Sequence, residues 1–130
     1  MPNTNIRNLD GLNVLVVEDE ALVRYFIVFY LQELGCIVRE VETGEAAISL
    51  LEKEASVDVV FTDIRLGGLL NGWDVAEAFR AARPSIPIIY TSGFAASSAR
   101  PVPGSLFIQK PYHPAQILNA CAQLSLPTRH

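Results

Sequence analysis

Basic residues are scarce in this chain. Ten Lys and Arg stand against fourteen Asp and Glu, the formal net charge is −4, and no Lys/Arg-rich block occurs. A nucleic-acid surface needs such a block, so that class of partner drops out. Cysteine is scarce too. Cys36 and Cys121 are the only two; they lie far apart among hydrophobic neighbours with no CxxC or Cys/His spacing, and read as reduced core residues. His113 and His130 are too isolated to be metal ligands. No apolar run approaches the roughly 20 residues of a membrane span. The opening "MPNTNIRNLDG" lacks the apolar core of a signal peptide. These absences leave a cytoplasmic domain with neither membrane nor nucleic acid among its partners.

What is present is a foldable composition. The 130 residues are half hydrophobic and 18% charged, enough to bury one core. Short apolar runs, "LNVLVV", "CIVREV", "VDVVF", "IPIIY" and "SLFIQ", read as strands. Between them lie helical stretches such as "EALVRYFIVFYLQELG" and "NGWDVAEAFRAAR". This alternation predicts right-handed βαβ units, and hence an α/β fold with a parallel sheet covered by helices on both faces. The nearly unbroken apolar strands fit burial on both faces. Gly35 and Pro84 stand where helices should stop. Residues 1–10 and 126–130 read as polar tails around one domain over 11–125.

In open parallel sheets, ligands bind beyond the carboxyl ends of the strands. Glu18 and Asp19 follow the first strand, Asp63 the third, Thr91 and Ser92 the fourth, and Lys110 the fifth; the second supplies nothing comparable. Each has an ordinary use alone: Asp19 caps a helix, Asp63 or Thr91 turns a chain, Glu18 and Lys110 are solvated charges. Together, three carboxylates on one edge repel one another, and a divalent cation such as Mg²⁺ relieves this with oxygen ligands. A lysine and a hydroxyl beside it can bind the oxygens of a phosphoryl group. The set describes phosphoryl transfer to a carboxylate.

"VLVVEDEALVR", "VVFTDIRL", "NGWDVAEAFR", "IPIIYTSG" and "FIQKPY", in this order from Leu12 to Leu124, resemble the receiver domains of two-component response regulators. The resemblance implies a flavodoxin-like, doubly wound sheet of five strands in the order 2-1-3-4-5. It implies Asp63 as phosphoacceptor and Glu18 and Asp19 as the acidic pocket. Asp19, Asp63 and the backbone carbonyl of Arg65 would then ligate Mg²⁺. Thr91 would bind a phosphoryl oxygen and act as a switch residue, Lys110 would pair with the phosphoryl charge, and Phe107 would be the mobile aromatic. The Lys110 to Pro111 bond is often cis in such domains. The implied partners are a histidine kinase or histidine phosphotransfer protein and a downstream protein target. Two other readings compete. A haloacid-dehalogenase-like phosphatase would carry Asp-x-Asp after the first strand, where "VVEDEAL" stands. A pseudo-receiver would bind without being phosphorylated, but a scaffold gains nothing from clustered carboxylates.

The chain also departs from the family pattern. Gly67 takes the place of a usual proline, and "GGLLNG" is one residue longer than the common loop, which predicts a more mobile segment after Asp63. Arg65 and Gly93 occupy two positions that tune phosphoryl lifetime, and neither has the commonest side chain. "SGFAASSARPVPGS" replaces the usual helix between the fourth and fifth strands. Its prolines and glycines limit any helix to one or two turns over Phe94 to Ala99. "YTSGF" resembles a subgroup with a Phe-Ala-Thr-Gly-aromatic motif in which that helix is short or poorly ordered, which suggests a mobile output element. On the first helix, a period of 3.6 gives Val23, Phe26, Ile27, Tyr30 and Leu34 as the core stripe. Leu22, Tyr25, Val28 and Phe29 are left outside, as a docking patch for a kinase, a phosphotransfer protein or a second copy. Trp73 and Asp74, just after Asn71 and Gly72, read as helix capping and local packing.

Overall fold

A computed structural model describes residues 9–93 and 100–124. Along them run β1 (Asn13–Val17), α1 (Ala21–Glu33), β2 (Ile37–Val41), α2 (Gly44–Glu52), β3 (Val59–Asp63), α3 (Gly72–Ala82), β4 (Ile88–Ser92), β5 (Leu106–Gln109) and α4 (Pro114–Gln123). The strands pair in parallel in the order β2-β1-β3-β4-β5, the doubly wound arrangement expected. Because side chains alternate across a strand, each face of the sheet builds its own core. Val14, Val16, Phe61 and Ile89 face α1 and α4, where Ile27, Leu31 and Ile117 cover them. Leu15, Val17, Val60, Ile88 and Tyr90 face α2 and α3, beneath Ala47, Trp73 and Phe79. Cys36 and Cys121 are free thiols in the first core, where burial pushes Cys36 up to about 12 and Cys121 up to about 11. Both stay protonated.

Burial on both faces holds for the three central strands and fails for the outer two. β2 exposes Ile37, Arg39 and Glu40, and β5 exposes Phe107 and Gln109. The sheet order explains this, since both strands lie at edges that helices cover incompletely.

The rotation of α1 also differs from the expected one. Val28 is buried at 8% exposure, whereas Phe26, assigned to the core stripe, is 60% exposed. The inward stripe runs through Ile27, Val28, Leu31 and Leu34, about one residue further along. Both faces of this helix are apolar, so periodicity alone could not choose between them. Arg24 settles the rotation: its guanidinium turns inward and donates to the Glu18 carbonyl at 2.7 Å.

Helix ends follow local chemistry. Gly35 closes α1 with φ of +93°, and a Cβ there would overlap the Asp10 carboxylate, so only glycine fits this left-handed cap. α3 opens on a capping box, with Asn71 accepting from Asp74 N at 3.0 Å and Asp74 accepting from Asn71 N at 2.9 Å. Trp73 packs edge-on against Tyr90, ring centres 4.6 Å apart, so Trp73 and Asp74 do the packing and capping expected of them.

Two connections bear on the site. The glycine-rich loop after Asp63, expected to be loose, is tied down: Gly67 bridges to Thr43, Leu69 N donates to Glu45 at 3.0 Å, and Gly72 N donates to the Ile64 carbonyl at 2.8 Å. Between β4 and β5, residues 94–99, which hold the expected helical turns, lie outside the described residues. Residues 100–105 form no helix and are pinned to α3 and β4 by polar contacts. Arg100 pairs with Asp74 and Glu77, each at 2.9 Å, Arg80 donates to the Pro103 carbonyl at 2.6 Å, and Val102 N donates to the Tyr90 hydroxyl at 3.1 Å.

Candidate functional site

The carboxyl ends of β1, β3 and β4 meet at one edge because the register sets Val17 beside Thr62 and Asp63 beside Thr91. Asp63, the last residue of β3, is 6% exposed, and Glu18, one residue past β1, is 1% exposed. Asp19 stands in the open above them. One carboxylate oxygen from each of Glu18, Asp19 and Asp63 lies within 4.8 Å of the others. Lys110, delivered from β5, places its Nζ 2.9 Å from Glu18 Oε1 and 3.0 Å from Asp63 Oδ2. Its peptide bond to Pro111 is cis. Arg65 N donates to Asp63 Oδ1 at 3.3 Å, which sets Arg65 at the same edge. Asp19, Asp63, Arg65, Ser92, Gly93 and Lys110 wall an open cavity of about 270 Å³.

Gly72 matters to this geometry although it carries no chemistry. A Cβ there would overlap the Asp63 carbonyl and crowd Ile64 Cα at 2.8 Å, so α3 can start against the end of β3 only with glycine at this point.

The electrostatics are those of two buried acids sharing one ammonium. Burial raises the Glu18 carboxyl, and the hydrogen bond from Lys110 only partly offsets it. Burial pulls Lys110 down, but its hydrogen bonds to Glu18 and Asp63 outweigh that and hold the ammonium above its ordinary range. Lys110 therefore faces two inner carboxylates with a third above them, and three carboxylates this close suit a hard divalent cation bound through oxygen. The donor set fits it. Thr91 is fully buried and, among the described residues, its hydroxyl has no hydrogen-bond partner, so a donor stands beside the carboxylates.

A family model of the response regulator receiver domain matches residues 14–122. The chain belongs to that family. Receivers are signalling modules of two-component systems that interact with histidine kinases and downstream effectors. A response regulator receiver protein from Sinorhizobium medicae WSM419 is 36% identical, with a TM-score of 0.84 over 89% of this chain and 95% of its own. Sensor kinase CckA of Brucella abortus (strain 2308) is 31% identical over 116 residues, 85% of this receiver but 12% of the kinase, so this chain spans about an eighth of that protein. The receiver domain of sensor histidine kinase PA1611 from Pseudomonas aeruginosa PAO1 was solved with a magnesium ion coordinated in its active-site cleft. It shares the fold, with a TM-score of 0.76 at 24% identity over 88% of this chain and 98% of its own. No helix among the described residues is long and apolar enough to cross a membrane.

The remaining residues singled out from sequence sit apart from this cluster. Phe107 is 45% exposed on β5 and lines a separate groove against α4. Leu22, Tyr25 and Phe29 are exposed along α1, Phe26 joins them, and Val28 leaves the set for the core.

Three contributors escaped the sequence reading. Arg24 donates to the Glu18 carbonyl and, at 3.1 Å, to Glu40 Oε1, so β2, thought to supply nothing, braces the turn that carries the acidic pair. Tyr112 packs edge-on against Phe61, and its buried hydroxyl lacks a partner among the described residues. Burial, then the charges of Glu18 and Asp63, push its phenol well above the ordinary value. The signals were there to use: Arg24 lies in the first turn of the helix that follows the acidic pair, and Tyr112 directly follows Lys110-Pro111.

Proposed function

We propose that this receiver is a phosphorylation-dependent switch whose phosphoacceptor is Asp63. An oxygen of Asp63 attacks the phosphorus of a phosphohistidine on a histidine kinase or phosphotransfer protein. The new O–P bond forms as the P–N bond breaks, and the electron pair leaves with the partner's imidazole. The product is an acyl phosphate on Asp63. Lys110 balances the charge on the transferring oxygens, and the Thr91 hydroxyl donates to one of them. Glu18, Asp19 and Asp63, with the Arg65 carbonyl, would hold Mg²⁺. That ion, when bound, supplies the positive charge that one lysine cannot. β3, packed on both faces, fixes the nucleophile, so positioning and electrostatics suffice for the transfer. The signal then leaves through protein contacts, with Thr91 and Phe107 as the switching pair.

The observation that carries this reading is the convergence, at the end of one sheet, of three carboxylates, Lys110 and a buried threonine hydroxyl that has no partner among the described residues. Intact mass after incubation with Mg²⁺ and a small-molecule phosphodonor tests it. The native protein should gain one phosphoryl group, while Asp63→Asn and a metal-free sample gain none. Equal gain by Asp63→Asn would move the acceptor elsewhere, and no gain from either a small donor or a phosphohistidine protein would leave a binding module.

A further inference from the structure

Leu22, Tyr25, Phe26 and Phe29 are 68%, 61%, 60% and 53% exposed and form one continuous ridge along α1. Tyr25 stacks on Phe29 with ring centres 6.5 Å apart and meets Phe26 edge-on at 5.5 Å, so the rings are ordered against each other. The helix cannot roll to hide them, because Ile27, Val28 and Leu31 already fill its inner side. We propose that this ridge binds the same ridge on a second copy of the chain, as an antiparallel α1 pair about a two-fold axis.

The spacing favours self-pairing. A two-fold axis passing between residues 25 and 26 sets Leu22 opposite the second copy's Phe29, and Tyr25 opposite its Phe26, for all four residues at once. This is the reciprocal contact that an isologous interface requires. The four positions follow an i, i+3/i+4, i+7 pattern, which is the seam of a helix pair. Charge allows it: the only charged side chains in α1 are Arg24 and Glu33, and Arg24 is turned away toward Glu18 and Glu40. Between residues 22 and 29 no like charges meet when the face pairs with itself, and this stretch offers no charge by which to select a different partner.

The area suffices for a weak dimer. At roughly 150–250 Å² per aromatic side chain, three rings a little over half exposed and a leucine give on the order of 400 Å² per copy. Beside the ridge, α1 and α4 flank an open apolar cavity of about 570 Å³ lined in part by Ile27, Tyr30, Pro114 and Ile117. Its rim adds a little to this, and the total stays below the roughly 800 Å² per partner of a standard specific interface, as fits a weak dimer.

Sedimentation velocity on the full chain, from about 5 to about 500 μM, tests this. The native protein should show a concentration-dependent dimer, and Phe29→Glu should weaken it at least tenfold, on the order of 1.4 kcal/mol. The two-fold register makes a sharper demand. Leu22→Lys with Phe29→Glu in one chain should restore dimer through two new ion pairs, whereas Leu22→Lys with Phe29→Lys should not. Phosphorylation of Asp63 by a small donor, measured alongside, should be unchanged in all variants, which separates this interface from the acceptor site. A native protein that stays monomeric at 500 μM, or a dimer indifferent to Phe29→Glu, overturns the proposal. So does a monomer whose Phe29→Glu variant loses only transfer from a phosphohistidine protein, since the ridge then docks that protein instead.

Discussion

β1, β3 and β4 bury nearly every residue they contain, whereas β2 and β5 leave half or more of theirs exposed or partly so. Both groups serve the same site, by different means. The central strands deliver Asp63, Thr91 and the turn bearing Glu18 and Asp19, and hold them by two-sided apolar packing. The outer strands contribute Glu40 as a brace and lead into Lys110, and these are held by polar contacts. The place of Asp63 is thus a property of the core, while the charges around it depend on a few individual hydrogen bonds. Substitutions in the two regions should fail differently.

The largest effect belongs to the centre. Phe61, 2% exposed on β3, lies within the core that α1 and α4 cover, so Phe61→Ala should lower unfolding free energy by about 3–5 kcal/mol. Ile37→Ala on β2, at 53% exposure, should stay within roughly 1 kcal/mol. Urea midpoints measure both, and equal losses would erase the distinction between centre and edge.

The brace should show the reverse signature. Arg24→Ala removes the donor to the Glu18 carbonyl and to Glu40, freeing the turn that carries two of the three carboxylates. A drop of ~10-fold in Mg²⁺ affinity by calorimetry is expected, as for other supports of metal ligands. The metal-free urea midpoint should move by no more than about 1 kcal/mol. Glu40→Gln keeps an acceptor for Arg24 and should recover most of the affinity, whereas Glu40→Ala should not. An Arg24→Ala protein that binds Mg²⁺ normally, or loses affinity only in proportion to its stability, removes the positioning role.

The same division governs what could be read from the sequence. The central strands were legible because runs such as "VDVVF" fit two-sided burial, and the order of polar residues after the strands located Glu18, Asp63 and Thr91 behind central ones and Lys110 behind the edge strand β5. The edges were less so: Arg39 and Glu40 already mark β2 as partly wet, but their role depends on where Arg24 points, which is set in three dimensions. The rotation of α1 failed for a similar reason. Two equally apolar stripes gave periodicity nothing to decide on, and the inward turn of a single arginine chose between them. The glycines after Asp63 suggested looseness because glycine widens backbone freedom, while the tethers from Thr43 and Glu45 come from a distant stretch of chain.

The smallest expected effect lies at the start of α3, just beyond the loop that follows Asp63, where the fold again rests on polar contacts. Asn71→Ala should cost about 1 kcal/mol, the ordinary value of such a cap. Asp74 makes the contact sensitive to acid. The backbone N–H of Asn71, and then Arg100, hold its carboxyl below the reference value of 3.8. A carboxyl depressed by folding stabilises fully above its unfolded value and loses that contribution as pH falls through the lower folded one. Native protein should therefore exceed Asp74→Asn in urea midpoint by a constant margin from about pH 7 to about pH 5, and the margin should shrink below about pH 4. Added salt should narrow it at neutral pH, because Arg100 and Asp74 meet at the surface. A margin unchanged down to about pH 2.5 would mean that the side chain's hydrogen bond, not its charge, supports the cap, and α3 would then be held as the central strands are, without help from ionisation.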